Sequence, residues 1–329
     1  MPESPQITSS EIGTLWMTYQ QKTMILRMME YFISKADDEE AKKIMTDLSS
    51  AIHPYVQKIE DIFKQEGVPL PVGFVSDDVH TNAPKLYDNG FDIMFVRMIK
   101  AISMAMHTLN LTMSYRKDIM QFFIDLTSIT QKYYIICTSY LLRKGLIPRS
   151  PYVSVEKSVE FAQDSNYLGG FNPLSGKRSL STVEVAHLYH AVESNVAGMQ
   201  LIYGFAQCSK HEDVQKYFIK GGELAKSLIK EMSEVFLKND IQVPSTAGGN
   251  LTNSKIAPFS EKIMLYCVSL FCSFSLGGNS VGTSFSLRND LPAKLGIFMK
   301  DIFEYAHEGA KIMIKHGLLE EPPQTVKRD

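Results

Sequence analysis

Two short stretches hold the residues best spaced for chemistry. Glu184-Val-Ala-His187, with His190 one turn further on, and Glu304-Tyr-Ala-His307 each set a carboxylate and an imidazole three residues apart. On a helix, that spacing puts both groups on one face. A Glu from each of two helices and a Glu-x-x-His from each of two others is how a four-helix bundle holds a pair of iron or manganese ions. The chemistry on offer is metal-dependent oxidation or iron handling. No Ser-His-Asp, Cys-His or paired-carboxylate pattern stands out elsewhere. Gly170-Phe-Asn-Pro-Leu-Ser-Gly176-Lys177-Arg178 approximates a phosphate loop. It has one residue too many between the glycines, and Arg where Ser or Thr should meet magnesium.

The elements that must position these groups are helices. Apolar residues recur at steps of three and four, and Gly and Pro collect between segments. The pattern predicts helices near 9–35, 38–66, 86–116, 118–145, 182–208, 211–239, 259–287 and 291–317. Ile119, Phe122, Leu126, Ile129, Tyr133, Ile136 and Tyr140 form the clearest seam. Thr8-x-x-Glu11 and Ser181-x-x-Glu184 read as capping boxes, and Asp118 and Asp290 as N-caps of the fourth helix in each half. Arg116 and Arg288 fall where the third helices end, which suits the negative end of a helix dipole. Residues 67–85 and 240–258 are loops of about 20 residues, long for a compact domain. A crossover running the length of a bundle explains them, and it makes helices one and four parallel, a ferritin-like connection.

The chain is written twice. Glu11, Leu15 and Trp16 are echoed by Glu184, Leu188 and Tyr189, Asp61 to Phe63 and Pro71 by Glu234 to Phe236 and Pro244, and Ser114 to Asp118 by Ser286 to Asp290. A register of about 172 to 173 residues is duplication of a whole domain. The fold expected is therefore all-α, two tandem ferritin-like four-helix bundles with long crossover loops, at 1–147 and 180–329. Residues 148–179 form a connector rich in Pro and Gly, with Val153, Val155, Val159 and Phe161 making it partly apolar.

The repeat is an internal control on the metal reading, which three arguments oppose. At 100° per residue the core stripe of the fifth helix runs through Val185, Leu188, Val192, Met199 and Tyr203, leaving His187 and His190 off it. On the eighth it runs through Leu295, Phe298, Ile302, Tyr305 and Ile312, leaving Glu304 and His307 on the far side. His187 lies about 9 Å, and His307 about 25 Å, from the start of its own helix, so the levels of two parallel helices do not meet. The seventh helix offers no carboxylate or histidine between Ile263 and Leu287. The first copy has Thr14, Lys132 and Ile135 where His187, Glu304 and His307 stand. It has His53 and His107, but His53 follows Ser50 rather than a Glu. No catalytic residue, cofactor or metal is assigned. A weak divalent site on His187 and His190 is the alternative.

A net charge of −2 gives no basic stripe for nucleic acid. Cys137, Cys208, Cys267 and Cys272 lack a C-x-x-C spacing and read as buried apolar residues in a reducing compartment. With no secretion signal expected in Met-Pro-Glu-Ser-Pro, the protein is expected in the cytoplasm, and Asn250-Leu-Thr252 needs no glycan. The uncharged run from Ile263 to Leu287 is long enough to cross a bilayer. Its Ser and Gly content, and Arg97 and Lys100 in its counterpart, argue for a buried helix instead. Its Gly277, Gly278, Ser280, Gly282 and Ser284 allow close approach of another backbone or self-association. Methionines from Met17 to Met120 would suit an irregular core or an adaptable apolar pocket.

Glu-Ile-Gly-x-Leu-Trp (Glu11 to Trp16), Val-Pro-Leu-Pro-Val-Gly-Phe (Val68 to Phe74), Asn-Ala-Pro (Asn82 to Pro84), Ser-Tyr-Arg-Lys-Asp (Ser114 to Asp118) and Glu-Val-Ala-His-Leu (Glu184 to Leu188) follow one another in order. In this the chain resembles, over essentially its whole length, a domain-of-unknown-function family of spore-forming bacilli. That family is similar in shape to ferritin-like spore coat proteins of the coat protein F type. The resemblance implies a fold and a sporulation or spore-coat setting, with no reaction and no catalytic residues to carry over. The function expected is that of a non-enzymatic structural or interaction protein, with protein partners or self-association. A metal-binding oxidase or iron-handling protein using the second bundle and an apolar-ligand carrier using the first are the alternatives.

Overall fold

The computed structural model describes residues 5–170, 177–243 and 248–325. Residues 171–176 of the phosphate-loop reading at 170–178, and the echo at Pro244, lie outside the described residues. The fold is all-α: α1 (Ser9–Lys35), α2 (Glu39–Glu66), α3 (Phe91–Thr112), α4 (Lys117–Arg143), α5 (Thr182–Cys208), α6 (Glu212–Leu237), α7 (Glu261–Phe285) and α8 (Asp290–Lys315). A two-residue ribbon pairs β1 (Tyr87–Asp88) antiparallel with β2 (Asn250–Leu251). Two compact units divide the chain. Of the described residues, the first holds 5–144, 250–267 and 313–325, and the second 145–170, 177–243, 248–249 and 268–312.

The ends of the helices follow local chemistry. Both capping boxes form, the Thr8 and Ser181 hydroxyls each accepting from the backbone of the Glu three residues on. Asp38 caps α2 by accepting from Glu40 N at 2.9 Å and Ala41 N at 3.0 Å, and left-handed Gly67 closes it. α3 starts at Phe91, five residues later than its apolar pattern suggests. Tyr87 and Asp88 are committed to the ribbon, and Asn89 and Gly90 have positive φ, which stops a helix from starting earlier. Asp118 is not the N-cap of α4. The helix begins at Lys117, and Asp118 in its first turn takes two hydrogen bonds from Arg116, at 2.9 and 2.6 Å. α8 likewise begins at Asp290 itself.

In the first unit, side chains at both ends set the helix directions. Glu11 at the start of α1, the turn between α3 and α4, and Glu66 at the end of α2 meet at one end through Arg116. At the other, Lys144 after α4 pairs with Asp38 before α2, and Lys85 before α3 pairs with Asp37. Thus α1 and α4 run parallel, opposed to α2 and α3, and residues 67–90 cross the full length of α2, about 40 Å. That crossover is anchored where Phe74 N donates to the Thr23 hydroxyl (3.2 Å), and where Tyr31 donates to Pro84 O (2.7 Å) and accepts from Leu86 N (2.8 Å). Gly73, at φ +64, lies so close to Tyr19 that a Cβ would come within 2.8 Å of its ring. Phe259 joins the same core, 5.2 Å edge-on to Tyr31.

The second unit repeats the pattern at one end. The start of α5, the end of α6 and the α7–α8 turn meet around Arg288, which donates to Asn239 at 3.1 Å and Asp290 at 2.8 Å. Its interior is aromatic, with Tyr217 stacked on Tyr305 at 4.3 Å. The buried face of α5 follows Val185, Leu188 and Val192, then Leu201 and Phe205. Met199 and Tyr203 are only half-buried, because α5 is apolar on most sides of its second half and packing, not pattern, selects the face. α7 is long and apolar enough to cross a membrane by composition, and Ile263, Cys267 and Val268 on it are fully buried. Gly282 approaches His187 and Leu295, whereas a Cβ on Gly277 or Gly278 would meet nothing within 4 Å.

Candidate functional site

Glu11 and Glu184, each wholly buried, have the same task in the two copies. Glu11 accepts from Tyr115 N at 2.8 Å and Arg116 N at 2.7 Å through one oxygen, and from the Thr8 backbone at 2.9 Å and hydroxyl at 2.7 Å through the other. Glu184 accepts from Leu287 N at 3.2 Å, Arg288 N at 3.0 Å and Ser181 N at 2.8 Å, and from both Arg178 terminal nitrogens at 2.7 and 2.8 Å. Each carboxylate thus ties the N-terminus of one helix to the turn between two others. Burial pushes the Glu184 carboxyl up, but the Arg178 fork and the Ser181 and Arg288 N–H groups outweigh it and hold it at about 2. Burial likewise works against Glu11, and the N–H groups of Arg116, Thr8 and Tyr115 bring it below the usual range. With its acceptor positions filled, neither acid has a lone pair to spare for a metal or a proton relay.

The other metal candidates are dispersed. His187 is half-buried with its ring parallel to Phe285, 6.1 Å away. His190 is exposed and meets Phe274 edge-on. On α8, Glu304 is exposed and pairs with Lys300 at 3.3 Å, and exposed His307 lies over Phe303. In the first copy His53 is exposed. Among the described residues no three His, Cys, Asp or Glu side chains come together as an ion site.

The most unusual chemistry lies inside the first unit, among residues that no motif groups together. Lys22 on α1, Lys100, Ser103 and His107 on α3, and Thr130 on α4 are all buried, the first four with no exposed surface. Lys22 Nζ donates to Gln21 Oε1 at 3.2 Å and, weakly, to Ser103 Oγ at 3.5 Å. His107 Nδ1 meets the Thr130 hydroxyl at 3.3 Å. Among the described residues, Lys100 Nζ and His107 Nε2 have no hydrogen-bond partner. Burial, then the charge of Lys100, drives the Lys22 ammonium well below its ordinary range, and burial takes Lys100 down to about 8. His107 is pushed down by burial, then by both lysines, and is neutral. Sequence offered one signal, a lysine and a histidine among apolar residues of α3. It carried no mark that Lys22, on another helix, faces the same interior.

A structure of a Bacillus halodurans C-125 protein provisionally identified as a spore coat protein is similar, with 16% identity and a TM-score of 0.41, covering 46% of this chain and 98% of that one. No curated protein matches the chain. The family described as "protein of unknown function" (DUF3231) matches residues 1–159 and again 169–329. The chain therefore belongs to that family, and carries two tandem copies of its domain.

Proposed function

We propose that the protein is a non-enzymatic structural or interaction protein, built from ferritin-like bundles and associated with sporulation or the spore coat. The reading rests on the duplicated tie at Glu11 and Glu184. The acid that a metal enzyme of this helical outline would use as a ligand is engaged by four or five donors in each copy. Exposed apolar side chains such as Leu109, Ile135, Ile297 and Phe303 supply helical surface for partners or for self-association. The spore setting rests on the family resemblance.

Metal analysis of untagged protein tests the non-enzymatic part. The expected result is far less than one ion per chain. About two ions per chain, lost on changing His187 and His307, would overturn it. Light scattering tests the interaction part, and a monomer at all concentrations that captures no coat component from sporulating cells would count against it.

A further inference from the structure

Lys22 and Lys100 place two ammonium groups in an interior where, among the described residues, neither pairs with a carboxylate, and Lys100 has the Cys137 thiol near it. A buried ammonium without a partner is costly, and proteins either neutralise it or supply an anion. Intramolecular relief is incomplete: Lys22 has an amide oxygen and a distant hydroxyl, Lys100 has none, and His107 presents an unsatisfied Nε2. The fold does not require these charges. At the repeat register, Lys22, Lys100 and His107 correspond to Asn195, Cys272 and Asn279, and the second copy forms the same helices with those neutral residues. Charge at these positions is confined to the first copy.

We propose that Lys22, Lys100, Ser103 and His107 form an internal site for a carboxylate, enclosed by α1, α3 and α4. The donors suit that group. All come from mid-helix positions, where the backbone N–H groups are already committed, and none is an arginine fork. Phosphate sites usually recruit one or both. Two ammonium groups, a hydroxyl and an imidazole N–H supply about as many donors as a carboxylate has lone-pair positions. His107 offers Nε2–H in the tautomer in which Nδ1 accepts from Thr130. The carboxylate's source is either a short free acid or the head of a longer apolar acid, whose tail would adapt to thioethers such as Met106, which accepts from Gln21 at 3.4 Å. The site binds and does not turn over, so it extends the non-enzymatic reading without depending on it.

The test uses the full chain carrying 13Cε-labelled lysine, with K22N and K100C assigning the two buried signals. These substitutions install residues the second copy already accommodates, and K22M and K100M replace them if either fails to fold. Formate, acetate and octanoate are titrated separately. Saturable movement of both signals, with a rise in the unfolding midpoint of about 3 °C that the K22N/K100C double variant lacks, is the expected result. A response to formate and acetate identifies a short acid, and one confined to octanoate a long one. If neither signal moves with any of the three, or the double variant responds as the wild type does, the proposal is overturned.

Discussion

At the scale of single residues, two buried acids and two buried lysines behave oppositely. Glu184 is stabilised as an anion, so replacing it leaves Arg178 and three backbone N–H groups facing a group that cannot accept from all of them. Glu184→Gln should cost about 2 to 4 kcal/mol in chemical denaturation. Glu11→Gln, with no arginine to strand, should cost less. Because the Glu184 carboxyl is depressed from near 4.5 to about 2 on folding, its contribution is complete above about pH 4.5 and is lost as pH falls toward 2. Wild type should therefore lose more stability than the variant between pH 5 and pH 3, by roughly 2 kcal/mol. Lys100 has the reverse sign. Its pKa falls from 10.5 to about 8 on folding, so the penalty is complete below pH 8 and is relieved as pH rises to 10.5. Without added carboxylate, wild type should gain stability over that interval relative to Lys100→Met.

Among the elements, the second unit depends on close packing where α6 meets α8. A Cβ on Gly221 would fall 2.1 Å from the Tyr305 hydroxyl oxygen, and one on Gly309 2.3 Å from that of Tyr217. Gly221→Ala should destabilise by about 1 to 3 kcal/mol, because a stacked tyrosine pair inside a packed core cannot retreat. Gly277→Ala on α7 has open space around the new methyl and should stabilise by up to about 1 kcal/mol through helix propensity. Thermal melts of the two variants, read side by side, check both the clash and the open face.

The whole molecule assembles its first unit from both copies of the domain. Residues 250–267 and 313–325, second-copy sequence, belong to it. Glu320 shows how they are held: it accepts from Gln20 and Lys262 side chains and from Val72 N, each at 2.8 Å. Glu320→Ala strands those donors and should cost the first unit about 1 to 3 kcal/mol. Trp16, the chain's single tryptophan, is buried in that unit, so its fluorescence reports this loss directly.

The sequence alone determined the eight helices, the capping boxes and the duplication, since these rest on periodicity and on contacts within four residues of each other along the chain. It also indicated the crossover, because a 20-residue loop has few other uses in a bundle. Only the tertiary structure decided that Glu184 reaches the backbone at Leu287 and Arg288, more than a hundred residues away, and that Lys22 shares an interior with Lys100 and His107. Such meetings depend on which faces of separate helices are turned together. A pattern read along one helix carries no record of the azimuth of its neighbour.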